Sequence, residues 1–371
     1  MVTATTTEER GDTRAGETSS RNCSDCGSSL GRSLWRCWDK NEFACDNDSC
    51  RQAAKLCSSC YGRHPLIPLT DPPAPDLRTV AIKKYCRTCF QEKSVLDFQH
   101  TYESIGGEGS DSKNIDEKVT SDVVFVFVHG GASSRAMFRG HAQELSKRFG
   151  YESILLDLPG HGTLVDDESL PLTLDNCVKT VKKVLMDSGI AASKKKVVYV
   201  GGSFGAYTGF YILNKLPDSF HAAVLMDCGQ NVGPGASLKA RMGLVLLGYI
   251  GRNFSNAALM KMMLDVARKS KADYQLVETS FGAGMFFDHA NAQIECLRSV
   301  APAECLPSLE IPILYMNGSE DYRDSEKIWL ELSNNQKSEL KVYEGGDHFF
   351  THDTRFLDDI LTRMDVFVKN M

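Results

Sequence analysis

The segment Gly201-Gly202-Ser203-Phe204-Gly205 joins an apolar run, Val197-Val198-Tyr199-Val200, to a helix-like stretch from Ala206 to Leu216. Few sequences can make that change, because a buried strand has to turn into a helix within a couple of residues. Small residues two before and two after Ser203 allow the turn, and the turn lifts the serine hydroxyl out of the sheet. The G-x-S-x-G string is common by itself. Its place between a β-branched strand and a helix gives it weight.

A serine hydroxyl is a weak nucleophile at neutral pH. It needs a base, and the base needs an acid that orients it and stabilises the imidazolium as it forms. Both are on offer downstream. The apolar run Ile311 to Met316 leads into Asn317-Gly318-Ser319-Glu320-Asp321, and the strand-like Leu340-Lys341-Val342-Tyr343-Glu344 leads into Gly345-Gly346-Asp347-His348. Asp321 and His348 are the candidate acid and base for Ser203. Asp324, Asp347 and Asp227 are rival acids, and Asp227, at the end of the strand His221 to Met226, stays open as an alternative. The strand–Gly–x–x–Asp pattern favours Asp321, because it puts the carboxylate on the loop nearest the histidine loop. His129 and His161 read as structural groups that bond loop backbone rather than as bases.

Upstream, Val123-Val124-Phe125-Val126-Phe127-Val128 runs into His129-Gly130-Gly131-Ala132. A glycine pair after a buried strand can aim a backbone N–H, that of Gly131, at a developing oxyanion, with the N–H of Phe204 as its partner. A further motif, Asp157-Leu158-Pro159-Gly160-His161-Gly162, follows the next strand. Taken together, residues from about 95 to 371 resemble an α/β-hydrolase of the esterase, thioesterase and C–C hydrolase branch. The chain order Ser203, Asp321, His348, each after a separate strand, is the order of that fold. Some members take the acid from the earlier strand, which keeps Asp227 in view.

The rhythm of the remaining chain agrees. Strands at 123–129, 153–158, 196–201 and 221–227 alternate with helices at 136–149, 173–188 and 204–216, and a final helix spans Thr351 to Asn370. This is an α/β pattern with a mostly parallel sheet and helices on both faces. Leu96 to Tyr102 alternates as an early strand, which would make the polar Gly106–Lys118 stretch a hairpin loop. Residues from about 230 to 305 break the rhythm, and the resemblance implies a helical lid there. The lid's Met242, Met260, Met262, Met263, Met285, Phe286 and Phe287 either pack it on the core or line an acyl pocket. Arg241, Arg252 and Arg268 are its candidate anion clamps.

The first quarter of the chain is different. Met1–Arg21 is rich in Thr, Ser, Glu and Arg, lacks an apolar core, and reads as a disordered tail rather than a secretory signal. Residues 22–93 then hold nine of the thirteen cysteines. There are three C-x-x-C pairs: Cys23 with Cys26, Cys57 with Cys60, and Cys86 with Cys89. Cys37, Cys45, Cys50 and His64 stand among them as single candidate ligands. A C-x-x-C turn offers two thiolates to one tetrahedral ion, and zinc favours sulfur and imidazole ligands. About two structural zinc ions are expected, in a module that loosely resembles B-box, ZZ and MYND cross-brace fingers. Lys40 stands where a partner of Cys37 would be, and how the ligands divide between ions stays open.

Residues 21–95 carry twelve Lys and Arg against eight Asp and Glu, and thiolate zinc sites would cancel that excess. No nucleic-acid partner is expected; a protein partner fits the zinc module better. No run of eighteen or more apolar residues exists, so no membrane span is expected, and reduced cysteines without a leader imply the cytoplasm, with the nucleus equally compatible. The leading functional expectation is a serine hydrolase acting on a hydrophobic carboxylic ester or thioester. The alternatives are a C–C bond hydrolase on the same three residues, and a ligand receptor or scaffold on the same fold.

Overall fold

The computed structural model describes residues 101–106, 121–165, 167–229, 231–253, 265–273, 276–277, 280, 289–321 and 324–371, with the backbone of two short strands, Trp35–Cys37 and Ala81–Lys83. Those two strands pair antiparallel. The expected tail at 1–21 and the rest of the module at 22–93 lie outside the described residues, as does the polar stretch after Gly106. Of the expected zinc ligands, Cys37 is described only as backbone, at the end of the first short strand. The other nine, Cys23, Cys26, Cys45, Cys50, Cys57, Cys60, His64, Cys86 and Cys89, all lie outside the described residues.

Seven strands form one sheet: β1 Tyr102–Ile105, β2 Val123–Val128, β3 Glu152–Leu156, β4 Lys196–Gly202, β5 Ala222–Met226, β6 Ile313–Gly318 and β7 Glu339–Tyr343. Their spatial order is β1-β3-β2-β4-β5-β6-β7. β1 runs antiparallel to β3, and every other pairing is parallel.

A parallel sheet buried on both faces demands strands that are apolar throughout, and β2 shows why the sequence complies. Val124, Val126 and Val128 face one core layer, and Phe125 and Phe127 the other. The first layer is closed by Cys177 and Val181 of helix α2 (Leu174–Asp187) and Phe210 and Leu213 of helix α3 (Phe204–Lys215). The second is closed by Ala142 and Leu145 of helix α1 (Arg139–Phe149) and Ile360, Leu361 and Met364 of the C-terminal helix (Thr354–Lys369). Thr173 caps α2 by accepting from Asn176 N at 3.2 Å, and Asp353 caps the C-terminal helix by accepting from Arg355 N at 2.9 Å. That cap lies beyond the Thr351 expected from sequence, because Phe350–His352 first forms a separate 3₁₀ turn.

A strand lies at Tyr102–Ile105, with Tyr102 on one core layer and Ile105 on the other; of the early strand expected at Leu96–Tyr102, residues 96–100 lie outside the described residues. β3 stands between β1 and β2, so the polar stretch after Gly106 is not a hairpin. Among the described residues between β5 and β6, α4 (Leu238–Asn253) packs on α5 (Ala290–Ser299). A Cβ added at Gly248 of α4 would sit 3.3 Å from Ile294 Cδ1 of α5, so that side chain would have to give by a few tenths of an ångström. Among the described residues no helix is long and apolar enough to cross a membrane.

Candidate active site

The elbow is set by what surrounds its glycines. A Cβ at Gly201 would lie 2.7 Å from the backbone of Ala206, where α3 folds back over β4, and one at Gly205 would lie 2.4 Å from Val128 O at the end of β2. Backbone atoms cannot move aside as a side chain can, so both positions require glycine. Between them Ser203 is held at φ 49°, ψ −110°, a conformation an L-residue rarely adopts, and its N–H donates to Met226 O of β5 at 2.8 Å.

The loops after β6 and β7 are laced together. A Cβ at Gly318 would fall 2.2 Å from Gly346 O, Glu320 N donates to that carbonyl at 2.8 Å, and Gly345 N donates to Ser319 Oγ at 2.8 Å. This contact brings Asp321 to His348. His348 Nδ1 lies 2.9 Å from Asp321 Oδ2, and His348 Nε2 lies 3.1 Å from Ser203 Oγ, so the structure brings all three together in one hydrogen-bonded run. An Nδ1–H tautomer donates to the carboxylate and leaves Nε2 to accept from the serine hydroxyl.

Asp227 is also there. It follows β5 with φ 57° and is buried; its ligand oxygen and those of Asp321 and His348 lie within 4.8 Å of one another. Among the described residues this is the single cluster spaced to hold a metal ion, but both imidazole nitrogens are already engaged by Asp321 and Ser203. Burial pushes the Asp227 carboxyl well above the usual carboxylate range, with the neighbouring acids adding to the rise and His348 opposing it. Burial by itself would lower the His348 pKa; the bond to Asp321 and the charges of Asp227, Asp321 and Asp347 outweigh it and raise it to about 9. The imidazole faces the cavity with 45% of its side chain accessible, so water tempers the burial contribution.

The other late histidine, His352, is buried and meets Thr351 Oγ1 at 3.0 Å and Met137 O at 3.4 Å. Burial pushes its pKa down to about 3, so it stays neutral. His129 and His161 do bond loops. His129 meets Gly130 O at 2.7 Å through Nδ1 and accepts Leu158 N–H at 3.0 Å through Nε2, while His161 meets Pro159 O at 3.0 Å. Burial lowers the pKa of each.

Gly131 and Phe204 line the same cavity as Ser203, and a Cβ at Gly131 would lie 3.6 Å from Phe204 Cβ. The Gly130 N–H turns away, to Met137 Sδ at 3.1 Å. The loop carrying these glycines is pinned by buried Asp157, which accepts from Arg135 N at 2.8 Å, Thr163 N at 3.1 Å and Thr163 Oγ1 at 2.9 Å, and lies 3.8 Å from Arg135 Nε.

The cavity has a volume of about 490 Å³ and an apolar lining from Met137, Phe204, Val232, Leu244, Leu297 and Phe349. Of the residues that the sequence leaves open between core packing and an acyl pocket, Met242 does neither and faces outward at 59% exposure, because α4 turns Ala240, Leu244 and Gly248 inward instead; Met260, Met262, Met263, Met285, Phe286 and Phe287 lie outside the described residues. Arg241 is exposed and Arg268 pairs with Asp265 at 3.3 Å, so neither enters the cavity lining. Sequence reasoning missed two residues. Gln293 of α5 holds its Nε2 2.9 Å from His161 Nε2, and its Oε1 lies 2.8 Å from where a Gly131 Cβ would be, so it stands between the loops that follow β2 and β3. Tyr207 Oη accepts from Val232 N at 3.1 Å and Gly233 N at 2.9 Å, fixing the start of the lid. Neither stands in a motif, and only the folded chain brings their partners near.

Residues 125–358 match the model of the alpha/beta hydrolase family, and the chain belongs to that family. Solved structures agree on the fold. MenH from S. aureus is 17% identical with a TM-score of 0.54, covering 73% of this chain and 98% of its own. The esterase EaEST from Exiguobacterium antarcticum is 17% identical with a TM-score of 0.56, covering 72% and 94%. A thermophilic esterase from Thermogutta terrifontis is 16% identical with a TM-score of 0.54, covering 72% and 92%. At such identities the likeness speaks for the fold alone. No curated protein matches the sequence significantly.

Proposed function

We infer that the chain is a serine hydrolase that cleaves a carboxylic ester or thioester of a hydrophobic acyl group. The observation that carries this reading is the unbroken run from Ser203 Oγ through His348 to Asp321, at 3.1 and 2.9 Å, opening on an apolar cavity. In that reading His348 Nε2 takes the proton as Ser203 Oγ attacks the substrate carbonyl, and Asp321 stabilises the imidazolium. The N–H groups of Gly131 and Phe204 receive the oxyanion, a contribution worth about 10²–10³ in turnover per donor. The bond to the leaving oxygen or sulfur breaks as His348 hands that atom the proton. Water, deprotonated by the same imidazole, then releases the acid from Ser203. The cycle runs on side chains and backbone of this chain alone.

The test is labelling of purified protein with a fluorophosphonate, followed by peptide mapping with Ser203→Ala as control. Modification at Ser203 is expected. Folded protein that stays unlabelled would overturn the reading in favour of a ligand-binding role.

The nine thiols and His64 between Cys23 and Cys89 belong to the same proposal as a structural module for about two zinc ions with a protein partner. The pairs Cys23 with Cys26, Cys57 with Cys60 and Cys86 with Cys89, joined by an imidazole, are a donor set that zinc favours. Atomic emission on protein purified without chelator tests it, and a value near zero would return these cysteines to redox chemistry. A cytoplasmic or nuclear residence goes with reduced thiols.

A further inference from the structure

Helix α4 carries a second apolar face. Among its described side chains Ala240, Leu244 and Gly248 turn inward, with Leu244 reaching the catalytic cavity. Five larger apolar residues turn the other way. Leu238, Met242, Val245, Leu246 and Tyr249 are between 48% and 75% exposed. At 3.6 residues per turn their spacing places them on one continuous face opposite the buried stripe. The helix's charged residues are Lys239, Arg241 and Arg252, all basic. By the same geometry Arg241 borders one edge of the outward face and Lys239 the other.

An apolar stripe with cations along both margins and no acid is what an anionic bilayer surface selects. The apolar side chains enter the acyl boundary, while lysine and arginine stems reach back to the headgroups. A second copy of the chain docking by the same face would set basic margins against basic margins, which repel. We propose that the outward face of α4 docks the protein on an anionic lipid surface. The same helix then has one face in the membrane and one in the cavity wall, so an acyl chain leaving the bilayer meets the site beside Leu244. That consequence, unlike the docking itself, rests on the hydrolase reading above.

The experiment is flotation of the full-length protein with phosphatidylcholine vesicles, with and without phosphatidylserine, alongside hydrolysis of a short soluble ester. Wild type is expected to float with the anionic vesicles. Met242→Glu/Leu246→Glu should lower partitioning by at least about a hundredfold. Lys239→Gln/Arg241→Gln should lower it roughly thirtyfold on anionic vesicles and little on neutral ones. Soluble-ester turnover and Ser203 labelling should be unchanged in both, since none of the four residues lines the cavity. Ser203→Ala should float like wild type, which separates docking from chemistry. The proposal is overturned if wild type does not float, or if it floats equally with both vesicle types. It is also overturned if Met242→Glu/Leu246→Glu floats like wild type, or if wild type is a dimer that this variant splits while neither binds vesicles.

Discussion

Replacing Asp157 by alanine tests how the loop after β2, which carries Gly130 and Gly131, is held. The carboxylate is fully buried, and so, but for 1% of its side chain, is Arg135. Removing it leaves a guanidinium in the interior without that counter-charge and takes the acceptor from Arg135 N, Thr163 N and Thr163 Oγ1. Breaking a buried pair from one side typically costs about 3–5 kcal/mol, because the remaining charge keeps its desolvation penalty. Water cannot readily substitute: a Cβ at Gly162 would already lie 2.3 Å from Asp157 Cγ, so the site is closed around the carboxyl. Against a total of about 5–15 kcal/mol for a folded domain, the variant should unfold on the order of 10 °C lower. Calorimetry of wild type, Asp157→Ala, Arg135→Met and Asp157→Ala/Arg135→Met gives the answer. The double variant should recover part of the loss, because it removes the stranded charge. A single variant within about 1 kcal/mol of wild type, or a double variant as unstable as the two singles summed, would refute the argument.

Further outcomes follow from the site. His348→Ala should lower ester turnover by on the order of 10⁶ while the far-ultraviolet spectrum stays that of wild type; a variant as active as wild type would remove His348 from the chemistry. The His348 pKa of about 9 puts the acid limb of kcat/KM on the alkaline side, with activity rising as pH rises and the imidazole loses its proton. Asp227→Asn removes a carboxyl whose charge, once formed against its raised pKa, holds the proton on His348, so the limb should move to lower pH; an unmoved limb would mean that burial keeps Asp227 protonated beside the imidazole. Gly205→Ala drives a methyl to 2.4 Å from Val128 O, and a loss of about 1–3 kcal/mol or more is expected in urea melts, together with loss of Ser203 labelling.

Most of the sheet was legible because its signals are local. Each buried parallel strand is a short apolar run, and each of β2, β3, β4 and β6 ends in glycine-bearing motifs that a reader of the chain can find. Asp321 and His348 were legible for the same reason, as each closes a strand. The pairing of β1 was not legible, because it depends on the edge of β3, which no local pattern announces. The outward turn of Met242 was not legible because periodicity cannot tell which of two apolar faces a helix turns inward. Gln293 and Tyr207 take their importance from partners 132 and 26 residues away in sequence.

Among the described residues, three that are not glycine take a positive φ: Ala132 at 56°, Ser203 at 49° and Asp227 at 57°. They follow β2, β4 and β5, which are neighbours in the sheet, so the unfavourable backbone is gathered along one rim. Evolution of a sturdier chain is therefore constrained in an uneven way. Glycine at Ala132 or Asp227 would relieve the backbone, yet it would loosen the rim that aims Ser203 and its companions. Improvements in durability can accumulate freely in the helices and at the far ends of the strands, whereas at this rim rigidity and reactivity draw on the same three torsions.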